Sequence, residues 1–206
     1  EIVISNSIYD RHNKKYQVSK YGTNSNTIKY NTDYEYVTAR GKLVGWWKFD
    51  ESSGTTATDS SGKGNNGTNT NSATVTAIGY DNSTTGAYSF VAASSNYINI
   101  GASISNINTI SLWINPDDIT SVGIIKLHST PIDIEIDGSN KINLNGFSNP
   151  SIYINGTLDT IGSTSLSSIS QSVWTHICIT TTTSITSHDS HTFIGYDGTN
   201  YYDGSI

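Results

Sequence analysis

This chain of 206 residues has no methionine, one cysteine, three prolines and charged side chains at only 14% of its positions. The single cysteine, Cys178, cannot form a disulfide within the chain. Because methionine is absent, residue 1 is not a translation start, and we expect the chain to be processed or to be a piece of a longer protein. Every apolar run is much shorter than the roughly 18 residues that a membrane-spanning helix needs, which predicts no membrane span.

Positive charge is also scarce, with 11 Lys and Arg against 17 Asp and Glu and a formal net charge of −6. Proteins that bind nucleic acids need a basic face, so this balance predicts no nucleic-acid partner. Uncharged polar residues are abundant instead: 31 Ser, 27 Thr and 21 Asn. This composition is typical of extracellular, cell-surface or virion proteins, and that is the localisation we expect.

Short runs of Ile, Val, Tyr and Thr recur along residues 42–206, each bounded by Gly, Asn, Asp or Ser. Turn pairs such as Asp137-Gly138 and Asn145-Gly146 separate them. No stretch keeps a helical period for three turns. We therefore predict an all-β fold, an antiparallel sandwich or jelly roll. The predicted strands cover residues 43–49, 73–78, 87–91, 97–100, 109–114, 123–127, 132–136, 141–144, 151–154, 173–180, 192–195 and 201–203.

Residues 1–41 differ from the rest of the chain in composition and in the pattern of apolar residues. The first five residues, Glu1 to Ser5, are predicted to form a short strand. Residues 6–40 are polar, rich in Tyr and without a sustained period, and we interpret them as an extended arm or linker. The arm carries a basic cluster, which is interpreted as a solvated segment or as a docking site for an acidic partner: Arg11, Lys14, Lys15 and Lys20. We place the domain itself at residues 42–206.

Seven segments, in this order, resemble the laminin G-like branch of the concanavalin A-like lectin/glucanase superfamily. They are Leu43–Glu51, Asp59–Thr68, Gly86–Phe90, Asn96–Ile100, Ile110–Pro116, Val173–Ile177, and Phe193–Tyr196 with Tyr202–Ile206. The resemblance covers about residues 42–206. It implies a concanavalin A-like jelly-roll sandwich of two curved antiparallel sheets.

The chain departs from that family at its end. In the family, the segment similar to Gly204–Ile206 runs straight into a last strand that pairs beside the first one, here Leu43–Phe49. This sequence stops at Ile206, yet its beginning looks like the missing strand, so Ile2, Val3 and Ile4 are the predicted strand-exchange residues. Three alternatives follow: the strand folds back onto its own sandwich, it fills the slot of a neighbouring copy, or the chain is a fragment of a tandem array.

The resemblance also implies a structural ion at the ends of the sandwich. Calcium prefers oxygen ligands from carboxylates, amides and carbonyls on loops. Five residues lie on segments that resemble those ends, and they are the candidate calcium ligands: Asp50, Glu51, Asp59, Asn66 and Asp203. In the alternative interpretation, Asp59 and Asp203 form turns and Asp50 accepts backbone N–H groups.

Aromatic side chains can stack on sugars or fill a core. Strand context favours the core for three tryptophans: Trp47, Trp113 and Trp174. Three tyrosines in a late loop are predicted to form an exposed ligand-binding surface with glycans as its ligands: Tyr196, Tyr201 and Tyr202.

The strand that contains Asp133, Glu135 and Asp137 places three carboxylates on one face. Laminarinase-type enzymes on this fold use Glu, Asp and Glu at this spacing. Here the three positions carry Asp, Glu and Asp instead, and Asp137 starts a hairpin turn with Gly138. We therefore predict a solvent-facing strand and no catalytic residue. We interpret His188–His191 as an exposed loop rather than a metal site.

Together these observations favour a non-enzymatic surface module for adhesion and assembly. We expect a repeating subunit that places its N-terminal strand in a neighbouring copy, so its partners are copies of itself and possible glycans. The alternative is a calcium-supported carbohydrate-binding module, and a glycoside hydrolase is a more distant one.

Overall fold

The computed structural model describes residues 2–5, 43–187 and 190–206. These residues form seventeen strands and one short 3-10 turn, without an α-helix in the ranges just given. In the same ranges, no helix is long and apolar enough to cross a membrane. The all-β prediction is therefore confirmed. The basic cluster and the arm, residues 6–42, together with His188 and Asp189, lie outside the described residues.

Nine strands form the first sheet, and every pair in it is antiparallel. Seven of them follow one another in space in the order β13 (Thr157–Ile161), β12 (Ser151–Ile154), β15 (Thr175–Ile185), β8 (Ile107–Pro116), β17 (Gly204–Ser205), β6 (Ala87–Phe90) and β5 (Thr74–Ala77). The other two are β1 (Ile2–Ser5) and β2 (Leu43–Trp47), and β1 lies between β2 and β8. The first strand of the chain thus belongs to the same sheet as the late strands.

Eight strands form the second sheet, which is also antiparallel. Their spatial order is β14 (Thr164–Ser168), β11 (Lys141–Asn145), β10 (Ile132–Ile136), β9 (Val122–His128), β16 (Phe193–Ile194), β7 (Tyr97–Asn99), β4 (Gly67–Thr70) and β3 (Thr56–Ala57).

The core lies between the two sheets and is built by alternation along the strands. In β8, Ile110, Leu112 and Ile114 are buried, whereas Ser111 and Trp113 on the opposite face are half-buried. The second sheet contributes its own alternating residues, such as those of β10 and β11, to the same apolar cluster. Burial of these side chains is the main stabilising contribution. Two sheets that share one core make a β-sandwich.

The strand predictions are most accurate where apolar and polar residues alternate. The predicted bounds of β10 and β12 are the observed ones. The prediction of a strand over residues 201–203 is wrong, because the last strand is Gly204–Ser205. Four strands were not predicted because they are rich in Thr, Ser or Gly and lack a clear alternation: β3, β4, β13 and β14.

The tryptophans correct part of the predicted core. Trp47 is fully buried, as predicted. Trp113 is only half-buried, since it alternates with Leu112 and Ile114 and so points to the outer face of the first sheet, where it stacks on Tyr80. Trp174 precedes β15 and is also half-buried.

Candidate functional site

The N-terminal strand fills a slot inside the first sheet. Ile2 lies opposite Trp47 of β2 on one side and Leu112 of β8 on the other, and its side chain is fully buried. The pairing continues on both sides to Ser5. The position beside Leu43–Trp47 agrees with the sequence prediction.

The slot is bounded by two strands, β2 and β8, whose backbone groups need a pairing partner. Among the described strands, β2 pairs only with β1. Without β1, β2 and one side of β8 would present unpaired backbone groups, which are costly and prone to aggregation. In this structure β1 completes the sheet of its own chain. Exchange of the strand with a neighbouring copy stays a prediction.

Among the candidate calcium ligands, Asp59 is engaged by the backbone. One carboxylate oxygen accepts hydrogen bonds from the N–H groups of Trp46 at 3.0 Å and Ser61 at 2.8 Å, and the other accepts one from Asn65 at 2.9 Å. The Asp59 N–H in turn donates to the Asn66 side chain at 2.9 Å. These contacts order the turn between β3 and β4, in agreement with the turn-forming alternative.

The other acidic candidates make separate contacts. One Glu51 oxygen accepts from the Thr58 N–H at 2.7 Å, while exposed Asp50 lies 3.6 Å from the Lys48 ammonium. The Asp203 carbonyl accepts from the Asp117 N–H at 2.9 Å. Across the described ranges, no three His, Cys, Asp or Glu side chains form a group that could hold a metal ion. The structure thus does not bring the predicted calcium ligands together as such a group.

Four half-buried rings form an aromatic cluster on the second sheet and its adjoining loop: Tyr97, Phe193, Tyr196 and Tyr201. Tyr196 and Tyr201 stack with their centroids 4.4 Å apart and their planes at 17°. The ring centroid of Tyr97 lies 5.2 Å from that of Phe193 and 5.8 Å from that of Tyr196. Burial raises the pKa of Tyr196, and the neighbouring Tyr201 and Asp197 raise it further.

The loop that carries these tyrosines is held by Asp197. Its carboxylate accepts hydrogen bonds at 2.7 Å from the N–H groups of both Thr199 and Asn200, which fixes the turn between Tyr196 and Tyr201. Tyr202 does not belong to this surface. It is fully buried and packs edge-on against Phe90 at 6.2 Å, because adjacent residues of an extended segment point to opposite sides.

A cleft of about 350 Å³ opens beside the aromatic cluster. Its lining residues are Lys126, Ser129, Ser190, His191, Phe193, Tyr196 and Gly198. The Lys126 ammonium donates to the Asp197 carbonyl at 2.9 Å. A Cβ atom at Gly198 would lie 2.0 Å from that nitrogen, so glycine is what leaves room for the lysine. The cleft thus combines aromatic rings, which can make packing contacts, with hydroxyl, imidazole and ammonium groups, which can make hydrogen bonds.

Two of the three predicted tyrosines, Tyr196 and Tyr201, lie together in the aromatic cluster, half-buried rather than exposed, while most of the cleft lining was not predicted. Lys126 comes from β9 and Phe193 from β16, which pair directly with each other, although they are far apart in sequence. One available signal was the position of Lys126 between buried Ile125 and Leu127, which turns it to the outer face.

The acidic strand is less exposed than predicted. Asp133 is 6% exposed, and the Asn145 side chain donates to its carboxylate at 2.7 Å. Burial raises the pKa of Asp133, the Asn145 hydrogen bond opposes that effect, and the charges of Asp197 and Glu135 add to it. The prediction of a solvent-facing strand is therefore wrong at Asp133, which lies between its cross-strand partners Asn145 and Lys126 on the same face.

The neighbouring positions follow the prediction more closely. Glu135 is half-buried and accepts a hydrogen bond from the Asn143 side chain at 2.8 Å. The Asp137 carboxylate accepts from the N–H groups of Ser139 at 2.8 Å and Lys141 at 3.0 Å. Its predicted role in the hairpin turn is confirmed.

Comparison with family models, with curated proteins and with solved structures finds no match for this chain. Two features of the structure bear on function: the slot filled by β1 and the cleft beside the aromatic cluster.

Proposed function

We propose that this chain is a non-enzymatic surface module for adhesion and assembly, of extracellular, cell-surface or virion location. We further propose that its sandwich is a concanavalin A-like jelly roll of the laminin G-like type. In the proposed assembly, copies are linked when the N-terminal strand of one fills the slot of another. The observation that carries this proposal is the position of β1, a strand paired on both sides whose only covalent link to β2 is residues 6–42.

The link is long enough for the slot to be filled either by the chain's own strand or by that of a neighbouring copy. Its 37 residues span at most roughly 120 Å when extended. A strand from a neighbouring copy makes the same contacts in the slot as the chain's own strand, so the choice depends on concentration. An intramolecular strand acts at an effective concentration of about millimolar order. Exchange is therefore favoured where copies are crowded, as on a cell surface or virion.

Complementation in trans tests this assembly. A chain that lacks residues 1–5 is mixed with a synthetic peptide of residues 1–7, and thermal unfolding is followed with increasing peptide. We expect the peptide to raise the unfolding midpoint in a saturable way. A peptide with Ile2→Asp is the matched control, because it keeps the length but places a carboxylate in the core.

Exchange between intact chains is measured next. Chains at high concentration are partly unfolded, refolded and separated by size, and we expect dimers and larger species that persist on dilution. The Ile2→Asp chain should give none of them. A chain that stays monomeric at every concentration, together with a peptide that has no effect, contradicts the proposed assembly.

A second candidate function is carbohydrate binding at the cleft. It is favoured by the stacked Tyr196 and Tyr201 rings beside a cleft that also holds Lys126 and His191. Aromatic faces can pack on the apolar faces of sugar rings, while the polar groups donate hydrogen bonds to hydroxyls. The site needs no metal ion for these contacts, and calcium support remains part of the proposal only for the sandwich ends.

Binding to an array of neutral and acidic glycans, with and without a chelator, tests this candidate. We expect Tyr196→Ala to lose at least tenfold in affinity, while Tyr153→Ala, a half-buried tyrosine of the other sheet, keeps it. Loss of binding with chelator would support calcium. Absence of any retained glycan, or equal binding by the two variants, would rule the candidate out.

A further inference from the structure

The last strand and the first strand lie end to end along the same side of β8. Gly204 is opposite Pro116 and Ser205 is opposite Asn115. Further along β8, Ile2 is opposite Leu112. Both short strands are antiparallel to β8, and β15 occupies its other side. They therefore run in the same direction on one line.

The number of residues between the two strands matches the number of β8 positions between their partners. Two positions of β8, Trp113 and Ile114, separate the partner of Ser205 from the partner of Ile2. Two residues, Ile206 and Glu1, separate Ser205 from Ile2 when the end of the sequence is continued into its beginning. A peptide bond between residues 206 and 1 thus preserves the register of both pairings.

The pairing on the side away from β8 and the alternation of buried side chains also agree with one continuous strand. Ile206 exchanges two backbone hydrogen bonds of 3.0 Å with Tyr88, which continues the pairing of β17 with β6. After Ile206, the strand on that side is β2, in which Trp47 lies opposite Ile2 of β1. Gly204, Ile206 and Ile2 are buried at every second position of the joined strand, as one continuous strand requires.

We infer that Gly204–Ile206 and Ile2–Ser5 are two halves of one β-strand, and that the segment suited to the slot beside β2 is the one that follows residue 206 directly. A second copy joined by a peptide bond from residue 206 to its own residue 1 supplies that segment. This inference rests on the proposed function, in which the partner is a second copy of the chain. It deepens that function by making the partner the next copy in the same polypeptide instead of a separate molecule.

A directly joined strand competes well with the chain's own strand. The strand of the following copy continues β17 without a loop, whereas the chain's own β1 reaches the slot only through residues 6–42. Closing a longer loop costs more conformational entropy. In a head-to-tail array, the slot of each copy is thus filled by the copy that follows it.

A rearranged chain tests the continuity of the strand. It begins at residue 43, runs to residue 206 and continues with residues 1–5. We expect a monomer that unfolds cooperatively, with a denaturation midpoint at or above that of the parent. The matched control has one glycine inserted between residues 206 and 1, which shifts the register by one and turns Ile2 to the outer face. A control as stable as the rearranged chain overturns the inference.

A shortened tandem, in which residue 206 of a full chain is joined to a second copy of residues 1–5, keeps the inference testable even if the rearranged chain does not fold. The full chain carries Ile2→Asp, so its own strand cannot enter the core and its one slot is open to the appended strand. We expect the appended strand to restore the parent's unfolding midpoint. A tandem with Ile2→Asp in both copies of the strand is the control, and equal midpoints for the two tandems overturn the inference.

The two proposals fail in different ways. Rescue in the tandem without any exchange between separate chains keeps the continuous strand and rejects the non-covalent assembly. Exchange between separate chains without rescue in the tandem keeps the assembly and rejects the continuous strand.

Discussion

The two sheets of the sandwich are assembled in different ways. In the second sheet, β9, β10 and β11 are consecutive in sequence and pair as successive hairpins. In the first sheet, β8 is flanked by β15 on one side and by strands from the two ends of the sequence on the other. Contacts between distant segments carry a larger entropic cost of closure. The centre of the first sheet therefore depends on a few residues from distant segments, whereas the β9–β11 part of the second sheet is supported locally.

Two carboxylates connect the sheets, and a third lies within the second sheet. Asp59, in an isolated bridge with Trp47, ties β2 to the turn before β4. Asp159 of β13 binds the backbone of β14. Asp133 lies on β10, which pairs with β9 and β11. Substitutions at these positions and at Ile2 separate the contributions of the two sheets.

The largest effect is expected at Ile2. Ile2→Asp places a carboxylate in the core between Trp47 and Leu112, and we expect a loss of more than about 4 kcal/mol in the free energy of unfolding. Denaturant unfolding followed by tryptophan fluorescence measures it. Val91→Asp is the control, because Val91 is 45% exposed. If both variants unfold at the same denaturant concentration, the central line of the first sheet does not hold the sandwich together.

A smaller but substantial loss is expected for Asp59→Ala. The variant leaves three backbone N–H groups of Trp46, Ser61 and Asn65 without their acceptor, which should cost about 2–4 kcal/mol. Asp81→Ala, which removes one exposed turn contact, should cost less than about 1 kcal/mol. Thermal unfolding with added calcium sharpens the result: stabilisation of the parent but not of Asp59→Ala would show that Asp59 is a ligand after all.

Asp159→Ala should cost about 1 kcal/mol at neutral pH. Burial alone would raise the pKa of Asp159, but hydrogen bonds from Ser167 and Leu166 outweigh it and hold the pKa below its usual range. The contribution is thus fully present above the unfolded pKa of about 3.9 and is lost as the pH falls through the lower folded value. Unfolding curves at pH 7 and pH 2.5 should show the difference from the parent shrinking at low pH. A difference that is independent of pH would contradict this assignment.

The smallest effect, of opposite sign, is expected for Asp133→Asn. Burial raises the pKa of Asp133, so the folded state binds the proton more tightly, and the parent loses stability as the pH rises from the unfolded pKa through the folded one. Asparagine carries no charge and still accepts from Asn145, so the variant should gain less than about 1 kcal/mol at pH 7 and nothing at pH 2.5. Unfolding at both values checks this, and a loss at pH 7 would show that the charge is stabilised.

Several parts of the fold and site followed from the sequence because they depend on neighbours along the chain. Alternation gave the strands β10 and β12, and Asp137-Gly138 marked its turn. The likeness of Glu1–Ser5 to a missing strand pointed to the slot beside β2. Tyr202 was misplaced because its burial depends on Phe90, which is distant in sequence. Asp133 was misplaced because alternation gives the face on which a side chain lies and not how far its neighbours on that face cover it.

By itself, the sequence determined that the chain forms short antiparallel strands, since the alternation of apolar residues and the turn pairs act over a few residues. Apart from the place of Glu1–Ser5 beside β2, only the tertiary structure decided which strands become neighbours. That choice placed Lys126 beside Phe193 at the cleft and put Ile206 and Ile2 on one line along β8. Sheet pairing is set by the shared burial of distant side chains and by register across strands, and neither is written in any local stretch of residues.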